Sequence, residues 1–202
     1  MHKNIYPIAG KLLSRNYKEQ FLGQKSLGIW LTGLSGSGKS TIAGNIEKKL
    51  FNKGIFCQVL DGDNLRTGIN NGLGFDDDDR LENIRRASEV SKIFIDSGIV
   101  TINSFISPKN NMRELAKNII GDENFSLIYI NSSLETCIKR DVKGLYAKAK
   151  KENIKNFTGL GDTFEVPKNF DLEINTDILC ENQSTDMVLN FILKKMDIKN
   201  KN

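Results

Sequence analysis

Cysteine, proline and histidine are scarce in this chain of 202 residues, with three Cys, three Pro and one His. Cys57, Cys137 and Cys180 lie far apart and form no CxxC pair. That excludes a zinc knuckle and a disulfide framework, and a reducing, cytoplasmic setting is expected. Long hydrophobic runs are missing too. No window approaches the roughly 18 apolar residues of a membrane span, and the polar start Met1-His2-Lys3-Asn4 opens no apolar leader, so neither insertion nor export is expected. Charge of one sign is also lacking: 29 Lys+Arg stand against 25 Asp+Glu, a net charge of +4. This balance leans toward small anionic ligands but supplies no basic stripe, and nucleic acid and membranes are not expected as partners.

What is present is the profile of a globular chain, 39% hydrophobic and 27% charged with 17 Gly. The length suits one α/β domain with a short extension. Residues 1–26 are polar with scattered apolar anchors and read as an N-terminal extension carrying a short helix laid on the domain. Residues 27–202 read as the domain itself. From residue 27 apolar runs and helical spacing alternate. Strands are expected at 27–32, 56–60, 99–102, 125–130 and 172–174, and helices at 40–50, 81–97, 112–120, 134–140 and around 187–193. Repeated β-then-α units with near-continuous apolar strands imply a parallel sheet covered on both faces by helices. Between 141 and 161 the composition shifts to Lys, Asn and Gly, which fits a mobile lid and a solvated helix about equally.

Gly33-Leu34-Ser35-Gly36-Ser37-Gly38-Lys39-Ser40, followed by Thr41, matches the phosphate-binding pattern GxxxxGK[ST] between an expected strand and an expected helix. Consecutive N–H groups and the helix N-terminus can wrap phosphates there, and glycines let the backbone approach them. Lys39 is expected to reach the β- and γ-phosphates of ATP, and the Ser40 hydroxyl to bind Mg²⁺. A second cluster, Asp61-Gly62-Asp63-Asn64-Leu65-Arg66, sits where the second strand ends. Ligands of open α/β sheets bind outside the carboxyl ends of strands, so both carboxylates face the phosphate site. One can hold Mg²⁺ or its water while the other accepts a hydrogen bond from an attacking hydroxyl. Downstream, Asp76 to Asp79 form an acidic helix start. Arg80, Asn83, Arg85 and Arg86 then recur at helical spacing, where some can share a face toward an anion and others form a solvated charged face.

Taken together these words resemble the adenylylsulfate kinase family, over residues 29–177. The matching segments are GLSGSGKST at 33–41, LDGDNLR at 60–66, LGF at 73–75, DRLENIRR at 79–86, FISP at 105–108, RDVKGLYAKA at 140–149 and KNFTG at 155–159. The resemblance implies a P-loop fold, ATP with Mg²⁺, and transfer of the γ-phosphate to the 3′-hydroxyl of adenosine 5′-phosphosulfate. By the same resemblance, Asp63 orients or deprotonates that hydroxyl and Asp61 lies close to the metal. Arg66, Arg80 and Asn83 grip the phosphosulfate and ribose, Phe75 and Phe157 sandwich the adenine, and Ile106 and Ser107 line the pocket. Lys143, Gly144 and Leu145 belong to a mobile lid, the assembly is a homodimer, and Ser107 is implied as a phosphoserine intermediate. A nucleophilic serine needs an adjacent base, which the sequence does not supply, and in-line transfer from ATP needs no covalent step.

One departure stands out. Many members of the family read SPYR where this chain continues Ser107-Pro108-Lys109-Asn110. Lys109 and Arg113 are the candidates to replace the missing arginine. A P-loop kinase acting on another modified nucleotide remains open as an alternative. A GTPase-type switch would need an NKxD-like segment after a later strand, and Asn175-Thr176-Asp177 lacks the lysine.

Overall fold

The computed structural model describes residues 4–152 and 157–197. Lys155 and Asn156 of the KNFTG segment, and both extreme ends of the chain, lie outside the described residues. Five strands, β1 (Gly28–Thr32), β2 (Cys57–Asp61), β3 (Val100–Ser104), β4 (Phe125–Asn131) and β5 (Leu172–Asn175), form one sheet in the order β2-β3-β1-β4-β5. Every pairing is parallel. Parallel neighbours require crossover connections, and helices provide them. The crossover helices are α2 (Lys39–Phe51), α3 (Gly62–Arg66), α4 (Asp77–Asp96), α5 (Asn110–Ile120), α6 (Leu134–Arg140) and α7 (Leu145–Lys151), with α1 (Arg15–Leu22) before the sheet and α8 (Glu181–Lys195) after it.

Side chains alternate across a strand, so β1 feeds two cores at once. Ile29 and Leu31 pack with Ile42, Ile46 and Leu50 of α2 and with Val188 and Ile192 of α8. On the other face Trp30 packs with Ile84, Ala87 and Ile95 of α4 and with Met112, Ala116 and Ile120 of α5. Trp30 also stacks on Phe105 at 5.0 Å. A strand buried on both faces has no polar side to present, which is why these segments read as unbroken apolar runs. The chain leaves β1 for the far edge beyond β3, whereas β3 connects across β1 to β4. This reversal opens a crevice at the carboxyl ends of β1 and β3.

Three local features go beyond the sequence pattern. The 61–66 segment forms a short helix. Asp61 caps the short helix α3, its Oδ1 accepting the Asp63 N–H at 3.0 Å, because an aspartate at a strand end can satisfy an orphan helix N–H. The N-terminal helix α1 is laid on the domain by its polar side. Glu19 accepts from the Ser26 hydroxyl and N–H, Lys18 donates to the Asp96 carbonyl, and no α1 residue is buried. Its apolar residues Tyr17 and Phe21 face outward, 65% and 89% exposed. The 145–151 segment is a helix, α7, that buries Tyr146 and Ala149, so it is more than a solvated surface element.

Candidate active site

The phosphate-binding loop runs from the end of β1 into α2. Gly33 has φ +154°, and a Cβ there would lie 2.3 Å from the Ile130 carbonyl oxygen, so only glycine lets the loop pass this close to β4. Lys39, in the first turn of α2, is buried and folds its Nζ back to the Gly33 and Leu34 carbonyls at 2.9 and 2.7 Å. Burial lowers its pKa to about 8, partly offset by Asp61 and Asp63. The loop is braced from behind. Thr176 Oγ1 donates to the Ser37 carbonyl at 3.0 Å, and Arg140 donates to the Thr176 carbonyl and approaches the Gly36 carbonyl at 3.5 Å.

Beside the loop, the Ser40 hydroxyl donates to Asp61 Oδ2 at 2.7 Å and lies 3.3 Å from the Ser104 hydroxyl at the end of β3. Ser40, Asp61 and Ser104 thus bring one carboxylate and two hydroxyls to one point. Among the described residues no group of three or more His, Cys, Asp or Glu side chains forms a self-sufficient metal cage. Asp63, two residues on, points across to the segment before α7, and its Oδ2 accepts from Lys143 Nζ at 2.5 Å. This pair raises the Lys143 pKa.

A second cluster is built from α3, α4 and residues 157–162. Arg66 donates to the Leu73 and Gly74 carbonyls, and its guanidinium lies 4.4 Å over the Phe75 ring. Arg80 Nε donates to the Phe75 carbonyl at 2.7 Å, while its Nη1 donates to Thr158 Oγ1 at 2.7 Å and lies 3.6 Å from Asp162. One buried arginine therefore ties the Phe75 segment to the Phe157-Thr158 segment. Burial, and then the neighbouring Arg80 charge, lowers the Arg66 pKa. Two guanidiniums held this close favour an anion between them. Asn83, one turn after Arg80 on the same buried face of α4, pairs its side chain with that of Asn70.

Two further contacts complete the site. Gly144 starts α7 at φ 65°, placing Lys143 before the helix and Leu145 at its first position. Tyr146 is fully buried, donates to the Ser35 carbonyl at 2.9 Å and meets the Phe157 ring edge-on at 4.9 Å. Ile106 accepts from the Thr32 hydroxyl through its carbonyl. Ser107 is 2% exposed with φ 37°, and its hydroxyl accepts from Trp30 Nε1 at 3.1 Å and donates to Thr32 Oγ1 at 3.0 Å. Its hydrogen-bond partners include neither a carboxylate nor an imidazole.

The structure thus joins Lys39, Ser40, Asp61, Asp63 and Lys143 in one cluster and Arg66, Phe75, Arg80 and Thr158 in a second. Sequence reasoning missed Ser104, Thr176, Arg140, Tyr146 and Asp162 as members of the site, although Arg140 and Tyr146 stand inside the RDVKGLYAKA segment. The two candidates for the missing arginine take separate places. Arg113 is buried, donates to the Ser107 and Glu165 carbonyls at 2.7 Å each and lies over Phe164. Lys109 pairs with Asp77 at the start of α4 at 2.6 Å.

A parallel sheet ordered 2-3-1-4-5 with a P-loop lysine, a carboxylate-hydroxyl cluster and an adjoining arginine pocket defines a P-loop kinase. The profile of the adenylylsulphate kinase family matches residues 25–175. The adenylyl-sulfate kinase of Bacteroides thetaiotaomicron is 54% identical over 196 residues, covering 97% of this chain and 98% of that protein. That of Clostridium kluyveri is 45% identical, covering 92% of each. The Mycobacterium tuberculosis APS kinase, solved in complex with AMPPNP and APS, superposes with a TM-score of 0.80 at 41% identity, covering 84% of this chain and 98% of that one. The chain belongs to the adenylylsulfate kinase family.

Proposed function

We propose that this protein transfers the γ-phosphate of ATP to the 3′-hydroxyl of adenosine 5′-phosphosulfate, giving ADP and the 3′-phosphorylated nucleotide. The observation that carries the reading is the meeting of two halves. A P-loop lysine and an acid-hydroxyl cluster adjoin a pocket where Arg66 and Arg80 lie beside an aromatic ring, and family membership matches both. In this reading the loop N–H groups from Gly33 to Thr41 wrap the ATP phosphates, and Lys39 exchanges the Gly33 and Leu34 carbonyls for phosphate oxygens. Ser40 and Asp61 would hold Mg²⁺, since a hydroxyl and a carboxylate are an all-oxygen donor set suited to a hard cation. When bound, the ion neutralises charge on the phosphates.

Asp63 accepts the proton of the attacking hydroxyl, and Lys143 leaves it to join the phosphate charge. Arg66, Arg80 and Asn83 hold the phosphosulfate and ribose. Phe75 and Phe157 flank the adenine, and residues 141–152 and 157–161 form the lid that excludes water. Ile106 and Ser107 wall the pocket. The buried, doubly engaged Ser107 hydroxyl supports a bracing role in place of a phosphoserine, because transfer between two positioned groups needs no covalent relay. Three free thiols support a cytoplasmic setting. The outward apolar side of α1 supports a homodimer, which sedimentation of Phe21→Ser against the parent tests through a shift to monomer.

The deciding experiment is ADP release with ATP and Mg²⁺, comparing adenosine 5′-phosphosulfate with AMP and with other sulfated or amidated nucleotides. Turnover restricted to the phosphosulfate is expected. Turnover with a different nucleotide only would transfer the reading to a kinase with another acceptor.

A further inference from the structure

Asn70 has no part in the reading above, yet it is placed unusually. It lies in the turn between α3 and α4, is 0% exposed, and donates through Nδ2 to Asn83 Oδ1 at 2.9 Å. The same nitrogen is 3.5 Å from the Asn83 backbone carbonyl. Among the described residues its own Oδ1 is buried without a hydrogen-bond partner. A backbone carbonyl only accepts, which favours the nitrogen end of the Asn70 amide facing Asn83. That end in turn holds the oxygen of the Asn83 amide, and the Asn83 NH₂ is turned the other way. The orphaned oxygen of Asn70 costs stability. A buried polar group kept at such a cost calls for an explanation. The neighbour it orients supplies one.

We propose that Asn70 is a positioning residue that fixes the Asn83 amide with its NH₂ toward the acceptor pocket. Asn83 then acts as a hydrogen-bond donor one turn beyond Arg80. It selects an acceptor nucleotide that offers an oxygen lone pair at that point, such as a phosphoryl, sulfuryl or ribose ether oxygen, and disfavours one that must itself donate. The proposal rests on the assignment of this pocket to the acceptor nucleotide.

Three variants of the full chain separate the two ideas. Asn70→Leu removes both the donor and the orphaned acceptor but leaves Asn83 Oδ1 without its donor, so one unpaired buried oxygen replaces another. It is expected to melt close to the parent, bind ATP unchanged and keep kcat within about threefold, while KM for adenosine 5′-phosphosulfate rises about tenfold. Asn70→Asp sets carboxylate oxygens against the Asn83 oxygen and raises the same KM without disturbing ATP binding. Asn83→Ala raises it as well. An unchanged acceptor KM in both Asn70 variants, with Asn83→Ala raising it, overturns the positioning role and leaves the pocket assignment standing. Parallel losses of melting temperature and ATP binding in both Asn70 variants also overturn it, as the mark of a purely structural residue. An unchanged KM in Asn83→Ala overturns the pocket assignment itself.

Discussion

Burial holds the Lys39 ammonium at a pKa of about 8, below the ordinary 10.5, and this makes nucleotide binding a proton-coupled event. In the free protein about a tenth of the molecules then carry a neutral amine at pH 7, about half at pH 8 and about nine-tenths at pH 9. Polyphosphate in the loop restores the charged form, because an ammonium against phosphate oxygens is strongly favoured. ATP binding is therefore expected to take up about half a proton at pH 8 and to weaken about tenfold between pH 7 and pH 9. The free protein behaves in the opposite sense. A lysine whose folded pKa lies below its unfolded value leaves the unfolded chain holding more protons between pH 8 and 10.5. Stability from this group accordingly rises with pH across that window, by up to about 3 kcal/mol at about 1.36 kcal/mol per unit. Calorimetric titration with ATP in buffers of different ionisation enthalpy measures the uptake directly. Lys39→Arg, which stays charged, is expected to abolish it. No uptake at pH 8, together with an affinity that is flat from pH 7 to 9, would refute the placement of a partly neutral lysine against the phosphates.

Three other substitutions test the remaining parts. Asp63→Asn is expected to lower kcat by about 10² to 10⁴, the usual range for a general base, while ATP affinity stays within about threefold; an unchanged kcat removes Asp63 from the chemistry. Ser107→Ala is expected to keep turnover within a few-fold and to lower stability by about 1–3 kcal/mol in thermal melts, since Trp30 Nε1 and the Thr32 hydroxyl lose a buried partner; a loss of kcat beyond about a hundredfold would restore the phosphoserine route. Tyr146→Phe removes the hydroxyl's bond to the Ser35 carbonyl and its contact with Cys137. At about 1 kcal/mol it is expected to weaken ATP about fivefold and, through the Phe157 contact, to raise acceptor KM alongside, and movement of neither constant would disconnect α7 from the loop.

The parts of the site that were readable are those whose chemistry is packed into consecutive residues. The P-loop glycines, Lys39 and Ser40 need a particular backbone path over eight positions, and that path leaves a spacing any reader can see. Asp61 and Asp63 were readable for the same reason, though their helix was not. A five-residue helix is too short to show periodicity, and only the Asp61 cap reveals it. Arg113 illustrates the limit differently. Its position on α5 follows from helical spacing, but its bonds to Ser107 and Glu165 depend on how the segment before β5 returns beneath the pocket.

The sequence alone determined the alternation of strands and helices, the two-faced burial of β1 and the identity of the phosphate loop. Each follows from local steric and hydrophobic rules acting over a few residues. Tertiary structure alone decided which distant groups meet: Tyr146 with Ser35, Thr176 with Ser37, Lys143 with Asp63, and Arg80 with Thr158. Those pairs are joined by the order of strands in the sheet and by the return of the chain over its carboxyl edge. A side chain's spacing in sequence carries no record of either, because the crossovers that bring them together bury their own apolar faces without reference to the site.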